Sequence, residues 1–210
     1  MSAKTATTTP YKTNVTLTSG TIDGDVYGGG LGRIADDALP EVKAKVYGDV
    51  LVKLNETVAS DNCVVKGSIF GCNNVNGSPQ SAVTVHVFKT VGYTGHMRTG
   101  AGLTGEAAIA AALAAPNDDD HSYELLAVYG GGNQAEFKPD YEATCDTVQP
   151  RVIIDGCDLT SIRTVYGGGN AASTPATNIL INGTYEIEEV FGGGNGSGYM
   201  DEGKTIPNPG

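Results

Sequence analysis

Tryptophan is absent from this chain of 210 residues, and basic side chains are scarce: 13 Lys and Arg stand against 24 Asp and Glu. The formal charge is −11 and the sequence pI about 4.5. Such a surface repels phosphate backbones, so nucleic acid is excluded as an expected partner. Long hydrophobic runs are missing too, and none approaches the roughly 18 residues of a membrane helix. No membrane span is expected in this segment. The opening MSAKTATTTPYKT lacks the apolar core of a signal peptide. A cytoplasmic protein and a fragment of a longer secreted protein both fit, and the Thr-rich, linker-like start favours the second, an extracellular or cell-surface location.

Signatures of chemistry are equally thin. There is no G-x-S-x-G, and no copy of the glycine-rich motif set out below has a Walker lysine or the G-x-G-x-x-G spacing. His86, His96 and His121 are widely spaced and match no metal pattern. His86 shares a strand face with Thr84, opposite Val83, Val85 and Val87, and reads as a solvent-facing strand residue. Cys63, Cys72, Cys145 and Cys157 form no C-x-x-C, which weakens any zinc reading. Cys63 and Cys157 precede their glycine turns at similar distances, but stacking would put them about 10 Å apart, too far for a disulfide. A Cys145–Cys157 bridge and free buried thiols both remain open. The sequence therefore nominates no catalytic, cofactor-binding or metal-ligating residue, and no cofactor is expected.

What the chain has in excess is glycine. Its 30 glycines are about twice the usual share of roughly 7%. They lack the G-X-Y period, which excludes collagen. They recur in a motif: DVYGGGLG (25–32), SIFGCNNV (68–75), AVYGGGNQ (127–134), TVYGGGNA (164–171) and EVFGGGNG (189–196), with a partial copy, KVYGDV, at 45–50. A β-branched residue and then an aromatic always precede the first glycine, which never varies: Gly28, Gly71, Gly130, Gly167 and Gly192. The second position is once Cys72 and the third once Asn73. This pattern predicts crowding or positive φ at the first glycine, room for a side chain at the second and left-handed backbone at the third. The fourth position is Asn74, Asn133, Asn170 or Asn195, and Leu31 in the first copy. Equivalent asparagines would form a hydrogen-bonded ladder if the turns stack.

A second strand lies upstream of most copies: NVTLT (14–18), VLVKL (50–54), AVTVHV (82–87), RVIID (151–155) and NILIN (178–182). Successive first glycines lie 43, 59, 37 and 25 residues apart. The shortest unit is the size of one solenoid coil, and the longer ones carry insertions. The expected fold is all-β, a parallel β-solenoid of about five coils with one inserted α-helix. Residues 1–13 read as a linker, 14–197 as a single solenoid domain and 198–210 as a tail. The helix is expected in the insertion at 88–122, over 103–116, capped by Thr104 and stopped by Pro116. The acidic stretch after it, 116–124, reads as a solvated loop, because it lacks calcium-loop spacing.

Tandem V-[YF]-G-G-G-N units with intervening V-x-V-x-[NG]-G strands resemble the repeat regions of secreted or surface adhesin-like proteins of gut Bacteroidetes. The resemblance covers most of residues 14–197 and implies a right-handed parallel β-helix at the cell surface. It also implies glycan or surface-protein partners. Asp146-Thr147-Val148 is similar to the Asp-Thr-aliphatic sites at which these bacteria O-glycosylate secreted proteins. The expected function is a non-catalytic repeat module that spaces or presents loops for binding. Two alternatives stand beside it. A carbohydrate-active β-helix, a polysaccharide lyase or hydrolase, would use Asp23, Asp25, Glu186, Glu188 and Glu189 near the glycine turns. A phage tail or receptor-binding segment would share the fold and form a trimer.

Overall fold

The computed structural model describes residues 12–90, 123–140, 148–196, 199–201 and 204–206. The helix expected at 103–116, most of the 88–122 insertion, His96, His121, Cys145 and the Asp146-Thr147 pair lie outside the described residues.

The described chain is all-β and built on parallel sheets. Five strands, β1 (Lys12–Leu17), β4 (Asp49–Leu54), β7 (Val83–Val87), β9 (Pro150–Asp155) and β11 (Asn178–Gly183), form one sheet in that order. Five more, β3 (Val26–Tyr27), β6 (Ser68–Phe70), β8 (Leu125–Tyr129), β10 (Ser161–Tyr166) and β12 (Glu186–Phe191), form a second sheet in chain order. All neighbours in both sheets are parallel. Each repeat unit thus gives one strand to each sheet. A short parallel pair, β2 (Thr21–Ile22) with β5 (Val64–Val65), and an antiparallel hairpin, β13 (Tyr199–Asp201) with β14 (Lys204–Ile206), complete the strands.

The hydrophobic pattern sets the register, because a slip of one residue would turn every apolar side chain to the wrong face. In the first sheet Val15, Val52, Val85, Val152 and Ile179 align across the strands. In the second, Val26, Ile69, Val128, Val165 and Val190 do the same. These columns face each other in a single core, in which Val52, Val85, Ile69, Val128, Val152 and Val165 are fully buried. Fully burying each such side chain is worth about 1.5–3 kcal/mol, so the interior column dominates the stability of the fold.

The second sheet departs from strict alternation. Leu125 and Val128 both enter the core, and so do Ile162 and Val165. The aromatic residue that follows stays out of that core, and Phe70, Ala127 and Tyr129 make a separate cluster.

Candidate functional site

The glycine turns are the most regular feature of the molecule. Each follows the same register, so the residue before it is always stacked on its equivalents. Ring centroids in the series Tyr27, Phe70, Tyr129, Tyr166 and Phe191 are 4.9, 4.6, 4.7 and 5.2 Å apart, with planes within 12° of parallel. The spacing follows that of parallel strands, about 4.8 Å. Such pairs add about 0.5–1.5 kcal/mol each beyond area burial.

Beside the rings runs the asparagine ladder expected from the fourth position. Asn195 Nδ2 donates to Asn170 Oδ1 at 2.8 Å, Asn170 to Asn133 at 2.9 Å and Asn133 to Asn74 at 3.0 Å. Leu31 ends the ladder at the first unit, where it is 65% exposed. The rings and the ladder are laced together: Tyr129 Oη donates to Asn170 Oδ1 and Tyr166 Oη to Asn195 Oδ1, each one unit along. The sequence reading missed this lacing, although its signature is a Tyr four residues before Asn133 and Asn170, where Asn74 and Asn195 have Phe.

The first glycine is required by crowding. A Cβ on Gly28, Gly71, Gly130 or Gly167 would stand 2.2–2.4 Å from the carbonyl oxygen of the first glycine in the next unit. None of these residues has positive φ. The left-handed backbone expected at the third position is also absent. Among the described residues, left-handed glycines are Gly20, Gly32, Gly77 and Gly196. Crowding again explains the third glycine, since a Cβ on Gly132 would meet the Ala135 and Asn73 carbonyls at 2.4 and 2.5 Å. Asn73 stands at that position by bonding outward: its Oδ1 accepts from Gly30 N, and its Nδ2 donates to the Ala44 and Asn76 carbonyls. The room expected at the second position is local to Cys72, whose thiol donates to the Gly130 carbonyl. A Cβ on Gly131 or Gly168 would meet backbone at 2.5–2.7 Å.

Burial pushes both Tyr27 and Tyr129 up to about 12, and the nearby charge of Asp25 adds to the effect. An unfolded tyrosine ionises near pH 10. Between pH 10 and 12 the unfolded chain therefore releases protons that the folded chain keeps, so stability falls as pH rises through this window. A denaturation midpoint that drops in this window, with a shallower drop for Tyr129→Phe, is the expected result.

The segments that follow the turns pack on one another. Arg33 and Val42 pair as an antiparallel bridge, and Asn76 Nδ2 donates to the Arg33 carbonyl and to Glu41. Ser78 accepts from Lys138 N, Gln80 accepts from Asp140 N, and Lys45 pairs with Asp140. Phe137 N donates to the Ser173 carbonyl. On the outermost segment Leu31, Ile34, Leu39, Val42 and Tyr47 are 46–67% exposed. The partial motif copy at 45–50 thus takes no part in the aromatic column; its Tyr47 points to solvent.

The carboxylates are dispersed. Asp23 pairs with Lys66, and Asp25 accepts from Ser68 N and Tyr27 Oη, all at the first end of the stack. Glu186 accepts from Ser161 Oγ and Glu188 pairs with Arg163, at the other end. Among the described residues no three His, Cys, Asp or Glu side chains gather as a metal site. No helix there is long and apolar enough to cross a membrane. His86 shares its face with Thr84 as expected but is half-buried, stacked on Phe88 with centroids 3.7 Å apart and Asp155 3.6 Å away. Burial lowers its pKa against the pull of Asp155. Cys63 and Cys72 are buried free thiols and Cys157 an exposed one. Burial raises the pKa of Cys63 and Cys72, so neither is an activated nucleophile.

No protein-family model, curated protein or solved structure matches this chain.

Proposed function

We propose that the two parallel sheets are faces of a β-solenoid of five coils, right-handed as parallel crossovers almost always are. Its function is to space and present loops for binding, without catalysis, at the surface of a secreted adhesin-like protein. The observation that carries this reading is the division of labour along the chain. Strand and turn positions are committed to the core, the ring column and the asparagine ladder. The segment at 31–47 is braced from behind by Asn76, yet holds Leu31, Ile34, Leu39, Val42 and Tyr47 open to solvent. Exposed apolar groups on a rigid support are what a recognition surface requires. A glycan or a surface protein is the partner this surface would take, as the motif resemblance implies. Catalysis would need acid and base groups converging on one reacting atom. Asp23 and Asp25 lie on the first unit and Glu186, Glu188 and Glu189 on the last, and Asp23, Asp25, Glu186 and Glu188 are engaged by partners in the neighbouring unit.

A glycan array probed with the purified chain should reveal binding that weakens at least about tenfold in the double variant Leu39→Ser/Tyr47→Ser. Far-UV circular dichroism should be unchanged. Turnover of a polyuronate, abolished by substituting one of the five carboxylates, would instead establish the lyase.

A further inference from the structure

The two ends of the stack are complementary to each other. Within it, the N–H groups of Gly28, Gly71, Gly130 and Gly167 donate to the carbonyls of Phe70, Tyr129, Tyr166 and Phe191 in the following unit. The second residue of each turn does likewise: Gly29 to Cys72, Cys72 to Gly131, Gly131 to Gly168 and Gly168 to Gly193. A bond runs back from each ladder asparagine, whose backbone N–H donates to the third-position carbonyl of the unit before it: Asn74 to Gly30, Asn133 to Asn73, Asn170 to Gly132 and Asn195 to Gly169.

At the last unit this pattern stops with groups left over. Among the described residues nothing accepts from the N–H of Gly192 or Gly193, and nothing donates to the Gly194 carbonyl. The first unit holds the matching set. The carbonyls of Tyr27 and Gly29 receive no such donor there, and the N–H of Leu31 has no such acceptor.

Side chains at the last unit tell the same story. Val190 is 47% exposed, whereas its column mates Ile69, Val128 and Val165 are fully buried. Phe191 and Ile181 are 42% and 37% exposed. Gly192 and Gly193 have open space where a Cβ would stand, and neither has positive φ. No residue described in this chain requires glycine at either position. A neighbouring backbone stacked as in the other four turns would require it.

We propose that a second copy of this chain stacks head-to-tail on the open edge of β11 and β12. Its β3 continues the second sheet, with Tyr27 and Gly29 carbonyls accepting from Gly192 and Gly193 N–H, and Leu31 N–H donating to the Gly194 carbonyl. Its Tyr27 ring extends the column beyond Phe191, and β1 pairs with β11. The register brings Asp25 of the arriving copy opposite Glu189, because Asp25 precedes Val26 as Glu189 precedes Val190. Like charges face each other there, and each copy carries a charge of −11. Association is therefore favoured at high ionic strength, where exposed charges are screened. A head-to-tail contact does not close, so growth continues past the dimer.

Sedimentation equilibrium at high ionic strength over a wide concentration range tests this on the intact chain. The average mass should rise with concentration without levelling at two copies. Gly192→Val should weaken association at least about tenfold, because its side chain fills the space for the incoming carbonyl. Its melting temperature at low concentration should be unchanged, since no described atom lies near that space. Gly193→Ala provides a second, smaller probe of the same kind. A chain that stays monomeric throughout, a closed dimer, or growth that Gly192→Val leaves unaltered would each overturn the proposal.

Discussion

Gly130→Ala is expected to destabilise the fold by about 3 kcal/mol, more than Gly168→Ala or Gly192→Ala in the later turns. The new Cβ would sit 2.2 Å from the Gly167 carbonyl oxygen. That oxygen cannot retreat, because Gly167 is held by its own bond to Phe191 and the turns on both sides repeat the same contact. Overpacking a rigid site costs about 1–3 kcal/mol, and this position stands at the upper end because backbone meets backbone. Gly168→Ala should cost less, its Cβ lying 2.7 Å from Gly194 N in the terminal turn. Gly192→Ala should be neutral, since its space is open. Equilibrium denaturation of the three variants at low protein concentration measures this order. Equal midpoints would show that intrinsic glycine flexibility, and not contact between turns, governs the motif.

Asn133→Ala should lower stability by about 2–3 kcal/mol, and Asn195→Ala by less than about 1 kcal/mol. Asn133 stands in the middle of the ladder, giving one side-chain bond to Asn74 and receiving one from Asn170. Its loss leaves Asn74 Oδ1 and Asn170 Nδ2 facing a gap in a partly buried row, and each stranded polar group costs about 1–3 kcal/mol where water cannot replace the partner. Asn195 lies at the exposed end, where water can. A double-mutant cycle of Asn133 with Asn170 should reveal a coupling of at least about 1 kcal/mol. Additive losses would mean that the amides act as independent surface groups.

Much of this architecture was legible because the chain contains several copies of the same statement. Val-aromatic-Gly recurs with β-branched strands upstream, and stacking follows once equivalent residues are assumed to meet. The strands expected at 14–18, 50–54, 82–87, 151–155 and 178–182 are those seen, within one or two residues at their ends. The asparagine ladder was legible for the same reason. The third glycine was misread because Asn73 suggests left-handed backbone when considered alone; its real constraint comes from the Ala135 and Asn73 carbonyls, one local and one in a neighbouring unit. Stacking implied that at least two of the variable segments 31–49, 88–122 and 134–150 would lie near one another, as 31–49 and 134–150 do, but not which residues would pair. Lys45 meets Asp140 across 95 residues, and Asn76 meets Arg33 across 43, with no periodicity to announce either pair. Segment 31–49 was expected as one of three recognition segments, but the exposed apolar row from Leu31 to Tyr47 is a property of its packing that no periodicity announced.

The distances between first glycines vary from 25 to 59 residues, yet the rings stay within 4.6–5.2 Å of each other. Insertion length and register are therefore uncoupled. In genetic terms, each Val-aromatic-Gly junction is a seam at which unequal recombination can add, remove or exchange a unit without a frame penalty in the sheets. Segments of very different length can thus be exchanged between seams while the strands and rings keep their places.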